Sequence, residues 1–395
     1  MVMKVKFVNP VRNYEMIKDE IDAAYFEVMS KGDLIDRGQL KSFEENLAKF
    51  VGTKYAVGLN SGYDALHLSL RAAGIGAGDE VIVPAHTFVA TCSAIVNVGA
   101  TPVLVDVGKD FNIDCDKIEA VITPRTKGII PVHLSGYMAD MVRVMEIAEK
   151  HHLVVVEDSC QSLGSWMENK EISDQRSAVS EQITADSRQP TAESLKKMAG
   201  AWGLTGCWSF YPFKILGGYG DGGAITTNDP DVALFATRMR YNGEDRDTGE
   251  YHGHGFTCLL DNMQAAFLDV KLRYLPHWIV QRKAIAAKYR KALSDIPDLL
   301  LPHYDDPRRD HIYQNYTLRS KQGSAFSDFL KENGIEVLTQ FRKPYYKHEA
   351  LKLEDRGFPE TEALSREVCS LPMNVEINDE EVDYVISVAR KFYKK

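Results

Sequence analysis

Two residues have the types and settings from which carbonyl–amine chemistry is built. Lys214 follows the aromatic run Cys207-Trp208-Ser209-Phe210-Tyr211-Pro212-Phe213 and precedes Ile215-Leu216-Gly217-Gly218-Tyr219-Gly220-Asp221-Gly222-Gly223. That placement desolvates an amine and holds it on rigid backbone, the condition for losing its proton and forming a Schiff base with an aldehyde cofactor. The ordinary alternative is a surface lysine, but the glycines that follow allow close backbone approach and positive φ, a freedom costly to hold unless something needs the room. Asp158 ends Val154-Val155-Val156-Glu157, an apolar run that puts a carboxylate at the carboxyl edge of a central strand, where open α/β sheets gather their ligands. A carboxylate there suits a protonated pyridine nitrogen, and equally suits a helix cap or an arginine partner.

Three further stretches bear on the same chemistry. Asn60-Ser61-Gly62-Tyr63-Asp64-Ala65-Leu66 follows a predicted strand and opens a helix, so its first N–H groups make either an anion site or an ordinary start capped by Ser61. Ser209, five residues before Lys214, has a hydroxyl to offer a phosphate. Phe88, just before a predicted helix, is either a lid for a flat ring or a core residue.

The elements that must position these residues follow from periodicity. Between 55 and 227, short apolar runs at 55–59, 81–83, 102–107, 128–133, 153–157, 207–211 and 224–227 alternate with helical patterns at 64–73, 90–97, 116–121 and 139–150. This alternation predicts an α/β fold with a mostly parallel sheet flanked by helices. A long helix over 263–293, interrupted near Pro276, is expected to lead into a smaller α+β part with strands at 313–319 and 335–338 and helices at 324–331 and 379–394. The expected division is a large domain over 1–262 and a small one over 263–395. The polar segment 171–197, divided by Pro190, reads as a surface excursion between the Asp158 and Lys214 elements.

Bulk composition narrows the function classes. With 395 residues the chain exceeds the size of one typical core, and its 44% hydrophobic and 26% charged residues are those of a globular protein. A formal charge of −9 disfavours nucleic acid as a partner. No apolar stretch approaches the roughly 20 residues of a membrane helix, and the amino terminus lacks a secretory pattern, so a cytoplasmic protein is expected. Six cysteines without Cys-x-x-Cys spacing read as reduced packing residues, with no metal site expected.

Taken together, Ser61-Gly62-Tyr63-Asp64-Ala65-Leu66, Pro84-Ala85-His86-Thr87-Phe88-Val89-Ala90-Thr91, Glu157-Asp158-Ser159-Cys160-Gln161-Ser162-Leu163-Gly164 and Ser209-Phe210-Tyr211-Pro212-Phe213-Lys214 with its glycines resemble the nucleotide-sugar aminotransferases of the DegT/StrS type, nearly end to end. The resemblance implies a fold type I enzyme dependent on pyridoxal 5′-phosphate and working as a homodimer. It implies that Lys214 bonds the cofactor aldehyde and shuttles the proton, and that Asp158 pairs with the pyridine nitrogen. Gln161 would lie near the phenolic oxygen, Gly62, Tyr63 and Ser209 would hold the phosphate, and Phe88 would stack on the ring. Glutamate is the implied amino donor. Tyr-Pro-x-Lys followed by Leu-Gly and Gly-Asp-Gly-Gly resembles the branch that aminates a 3-keto sugar, so a dTDP-3-keto-6-deoxyhexose is expected. A UDP-3-keto-hexuronate or a 4-keto nucleotide sugar is the alternative, and a non-catalytic regulatory protein on the same scaffold is the rival of another class.

Three departures from the family pattern stand out. Ile215 stands where relatives have Asn, Thr257 where an asparagine reaches the neighbouring subunit's phosphate, and Gln340-Phe341-Arg342-Lys343-Pro344-Tyr345-Tyr346 where a histidine-rich sugar-recognition motif is usual. Arg342 and Lys343 read either as solvated charges or as partners for a diphosphate.

Overall fold

A computed structural model describes residues 3–169, 196–302, 304, 306–339 and 341–394. Nine strands run along the first part of the chain: β1 (Tyr55–Leu59), β2 (Glu80–Pro84), β3 (Thr101–Val105), β4 (Thr126–Ile129), β5 (Val154–Asp158), β6 (Trp166–Glu168), β7 (Lys196–Met198), β8 (Thr205–Ser209) and β9 (Gly223–Thr227). Seven of them form one sheet in the order β1-β9-β8-β5-β4-β2-β3. Only β9 is antiparallel to its neighbours, so β1 and β8 on either side of it point the same way as the parallel strands β5, β4, β2 and β3. Every carboxyl end except that of β9 therefore meets on one edge, and β9 starts there.

Alternation within the strands feeds two apolar layers. Ile82, Val103, Val105, Ile129 and Val155 join one buried cluster, while Val81, Val83, Leu104, Ile130 and Val156 join the other. Both faces of the parallel strands are thus covered, which is why they read as near-continuous apolar runs. The helices of this part include α1 (Pro10–Met16), α2 (Lys18–Lys31), α3 (Gly38–Val51), α4 (Gly62–Ala72), α5 (Val89–Asn97), α6 (Met141–His151), α7 (Pro230–Met239) and α8 (Asn262–Leu293), of which α2 packs on α8 rather than on the sheet.

Helix α8 is unbroken, contrary to the interruption expected at Pro276. A proline inside a helix loses one backbone bond and crowds the preceding turn, at about 3 kcal/mol. Burial of Leu272, Leu275 and Trp278 on both sides of it supplies the compensation. Past α8 come β10 (Leu299–Leu300), β11 (Tyr316–Ser320), α9 (Ser324–Glu332), α10 (Pro359–Glu367), β12 (Val368–Leu371) and α11 (Asp379–Tyr393), with the three strands in the order β10-β11-β12. They share a separate apolar cluster in which Tyr289 and Leu293 from the end of α8 meet Tyr316, Phe326, Leu330 and Val385.

Two other expectations are corrected. The helix expected at 116–121 is a pair of single 3₁₀ turns, Cys115–Lys117 and Glu119–Val121, because Asp114 caps the first turn and too few apolar positions follow to anchor a longer one. The strand expected at 335–338 is reduced to isolated bridges, Val5 with Ile335 and Leu338 with Ser370. The polar segment 171–197 lies outside the described residues except for Lys196 and Lys197, which begin β7 and pair with β6. No described helix is long and apolar enough to cross a membrane.

One buried histidine is expected to make the fold sensitive to acid. His86, at the carboxyl end of β2, is 3% exposed, and burial pulls its pKa down to about 4, partly opposed by Asp106 and assisted by Arg319. The folded pKa lies below the unfolded value of 6.5, so below that pH the unfolded chain binds a proton that the folded one refuses. Stability is expected to fall between pH 6.5 and about 4, by on the order of 3 kcal/mol from this residue, with no further loss below. Urea midpoints at several pH values for the wild type and His86→Gln check this; an equal slope in both would remove His86 as the cause.

Candidate active site

The carboxyl edge gathers β1, β2, β5 and β8, and the candidate residues sit on the turns that leave them. Leu59 and Ser209 both stand opposite Gly223, the first residue of β9. A side chain on Gly223 would collide with the backbone of Ser61 and Gly62, so only glycine lets the start of α4 descend onto the sheet edge. Gly62 fits as closely: a Cβ there would lie 2.7 Å from Cys160 Sγ and 2.9 Å from Ser209 Cβ. The start of α4, the end of β8 and the turn after β5 are thus pressed into one cradle. Ser61 caps α4 by accepting from Asp64 N at 3.1 Å, and the first N–H groups of the helix have no intrahelical acceptor. Such a cradle is built for an anion.

Asp158 is buried at the end of β5. Its Oδ2 accepts from Thr91 Oγ1 at 2.9 Å and its Oδ1 from Cys160 N at 3.3 Å, while the Thr91 and Thr87 hydroxyls are bonded to each other at 3.0 Å. Thr91 belongs to α5, so the carboxylate is oriented from a neighbouring helix as well as from its own turn. The preceding residue anchors the strand below. Glu157 Oε1 accepts from Trp202 N at 2.6 Å and Gly203 N at 2.8 Å, and Oε2 accepts from Gly200 N at 2.9 Å. His133 Nδ1 accepts from Ala139 N at 3.1 Å, which leaves Nε2 to donate to Glu157 at 3.1 Å.

Lys214 lies half-buried on the turn between β8 and β9, its N–H donating to Tyr211 O at 2.8 Å. Burial pushes the Cys160 thiol, two residues past Asp158, well above its ordinary pKa, with Asp158 adding to the rise and Lys214 opposing it. The carboxylate ends β5, and the amine lies on the turn that leaves the adjacent parallel strand β8. The glycines after Lys214 serve close packing, and none of Gly217, Gly218, Gly220, Gly222 and Gly223 has positive φ, contrary to the conformational half of the expectation. A side chain on Gly217 would strike Pro212 O, and one on Gly218 would lie 2.8 Å from Gln264 Oε1.

The other expected residues are placed unequally. Gln161 Oε1 accepts from Ser135 N at 2.9 Å. Ser209 borders Gly62 in the cradle and accepts only a long bond from Tyr211 N, 3.4 Å. Phe88 is the N-cap of α5, 57% exposed, its ring 6.4 Å from that of Phe341. Tyr63 contributes backbone alone: its hydroxyl accepts from Asn97 Nδ2 at 2.6 Å and its ring stacks on His67, turned along α4 toward the far end of α5. Thr257 bonds Asn242 Oδ1 at 3.0 Å. Arg342 donates to Ser327 Oγ at 2.6 Å and lies 3.7 Å from Asp328, so it is engaged within the chain; Gln340 is outside the described residues. Among the described residues no group of three or more His, Cys, Asp or Glu side chains is arranged to hold a metal ion.

The sequence pattern of the DegT/DnrJ/EryC1/StrS aminotransferase family matches residues 15–390. The chain belongs to this family. Among its relatives, a "Pleiotropic regulatory protein" of Geobacillus stearothermophilus is 36% identical over 397 residues, covering 99% of each chain. The dTDP-3-amino-3,4,6-trideoxy-alpha-D-glucose transaminase of Streptomyces venezuelae is 35% identical, covering 99% of this chain and 97% of that one. The crystal structure of S. venezuelae DesV with a ketimine intermediate superposes with a TM-score of 0.89 at 34% identity, covering 99% of both chains.

Aminotransferases of the DegT/DnrJ/EryC1/StrS family are pyridoxal 5′-phosphate enzymes. The described residues fit that cofactor. An anion cradle that only glycine at 62 and 223 permits, a buried carboxylate oriented by two donors, an exposed aromatic ring and a half-buried amine all lie on segments leaving one edge of the sheet.

Reading the sequence alone missed several residues of this site. Thr91 and Cys160 lie within the motifs but give no local sign of a part in the site, and Glu157 looks in sequence like no more than the end of an apolar run. Gln314, Lys271 and Gln264, which hold the lysine turn from α8 and the segment before β11, carried no local signal.

Proposed function

We propose that this aminotransferase transfers an amino group from L-glutamate to a keto nucleotide sugar, a dTDP-3-keto-6-deoxyhexose. The observation that carries the reading is the end-to-end likeness to the S. venezuelae transaminase named for a 3-amino sugar, combined with Asp158 and the Lys214 turn leaving the adjacent parallel strands β5 and β8. Bound pyridoxal phosphate supplies an aldehyde that bonds an amine and a ring that accepts electrons when the donor's α-proton leaves. In this reading Lys214 would be the amine that holds the aldehyde and the base that carries the donor's proton. Asp158 would keep the pyridine nitrogen charged. The N–H groups of Gly62 and Tyr63, with the Ser209 hydroxyl, would hold the phosphate. Gln161 and Phe88 would hold the ring.

A second copy of the chain is proposed as the partner. On α2 and the turn after it, Tyr25, Phe26, Met29, Leu34 and Ile35 are exposed, an apolar run that a monomer would leave in water.

Assaying 3-keto and 4-keto nucleotide sugars side by side, with glutamate consumption followed in both, tests the reading. Amination of the 3-keto sugar is the expected result. Turnover of the 4-keto sugar alone overturns the position, and a visible spectrum unchanged by glutamate overturns catalysis in favour of a regulatory protein.

A further inference from the structure

The two peptide units that flank Lys214 are held by a single side chain distant in sequence. Gln314 Oε1 accepts from Ile215 N at 2.7 Å, and its Nε2 donates to Phe213 O at 3.0 Å. One planar amide thus grips the backbone immediately before and after the lysine. Gln314 is 5% exposed and is itself fixed: Arg282 Nη1 donates to Tyr313 O at 3.0 Å, Gln314 O at 3.2 Å and Met373 O at 2.6 Å. Tyr313, with φ 55, is held in the left-handed region just before it.

The rest of the turn hangs from α8. Lys271 Nζ donates to Gly217 O at 2.8 Å, and Gln264 Oε1 accepts from Tyr219 N at 2.8 Å. Burial brings the Lys271 pKa down to about 8, opposed by Glu376, so the group still donates as an ammonium at neutral pH. Gln264, Lys271 and Arg282 are spaced by close to two and three helical turns and therefore share one face of α8. These contacts position the turn as a whole, whereas Gln314 alone touches the residues on both sides of Lys214.

We propose that Gln314 is the positioning residue for Lys214, its amide fixing the direction in which the lysine side chain leaves the backbone and tying that direction to the three-stranded sheet. The proposal rests on the reading that Lys214 is the amine that bonds the cofactor. A reactive atom misplaced by about 1 Å costs on the order of 100-fold in rate, so the long lysine side chain magnifies a small error at its root. Gln314 contacts neither cofactor nor substrate in this role, and its loss is expected to change rates far more than affinities.

The test compares wild type with Gln314→Met, similar in size without the hydrogen bonds, and Gln314→Glu, which retains an acceptor for Ile215 N and loses the donor to Phe213 O. The expected result for Gln314→Met is slower capture of pyridoxal phosphate by the apo-enzyme, about 10-fold, followed by visible absorbance. A drop in kcat of about 10- to 100-fold is expected with KM for both substrates within about 2-fold. Gln314→Glu is expected to fall between Met and wild type, which keeps the proposal testable if the methionine variant fails to fold. Unchanged capture and kcat in a folded variant overturn the proposal, as does a lowered melting temperature with unchanged capture. Borohydride reduction of loaded wild type serves as the control: a label away from Lys214 overturns the underlying reading and this proposal with it, whereas a label on Lys214 with unaltered variants overturns this proposal alone.

Discussion

Lys214→Ala is expected to lower glutamate-dependent transamination by at least about 10⁴-fold, because in the proposed function one amine both bonds the aldehyde and moves the proton. The loss is chemical rather than structural. Lys214 is half-buried on a turn whose backbone is held by the Tyr211 carbonyl and by Gln314, contacts that the alanine variant keeps. The cradle built by Gly62, Gly223 and Ser209 does not involve the lysine side chain either. The variant should therefore melt near the wild-type temperature and still retain cofactor through its phosphate. Three measurements check this: single-turnover amination, the melting curve, and borohydride labelling, which is expected on Lys214 in wild type and absent in the variant. Retained turnover within about 10-fold of wild type would dismiss Lys214 as the proton carrier.

Asp158→Asn is expected to reduce kcat by about 10²- to 10³-fold, the equivalent of roughly 3–4 kcal/mol of barrier at 1.36 kcal/mol per decade. The substitution is nearly isosteric, and the hydrogen-bond chain can adapt. Thr91 donates to Oδ2 in the wild type, and its hydroxyl can instead accept from an asparagine amide if the Thr87–Thr91 bond reverses. What disappears is the negative charge that, in the proposed function, pairs with the pyridine nitrogen and keeps the ring an electron acceptor. KM for the donor is expected to move by no more than a few-fold, since the acid acts on the barrier rather than on binding. Steady-state kinetics alongside thermal melting check it; a large rise in KM with unchanged kcat would give Asp158 a binding role instead.

Much of the site was legible because its motifs are local. Asp158 at the end of three valines could only fall at a strand's carboxyl edge, and Ser61-Gly62 between a strand and a helix could only be a helix start. The alternation of apolar runs and helical patterns carried the parallel sheet for the same reason: burial on both faces leaves its mark in consecutive residues. Elements whose formation is settled by distant packing were read less well. Pro276 signals a break, and only burial of Leu275 and Trp278 keeps α8 whole. Residues 335–338 have strand-like composition, and the chain uses them for single bridges. Tyr63 sits in the anion motif, yet its side chain follows Asn97 and His67 away from it.

By itself, the order of residues along the chain determined which groups are available for chemistry and which strand ends carry them, since side-chain type and short-range periodicity are local properties. Tertiary structure alone decided how tightly those groups are gathered and held. The glycines at 62 and 223 matter only because Cys160, Ser209 and the Ser61 backbone crowd them. Gln314 matters only because folding carries it 99 residues back to the turn of Lys214, where its amide meets two peptide groups. Contacts of that kind arise from closing long loops upon a packed core, and no short window of sequence records which ends will meet.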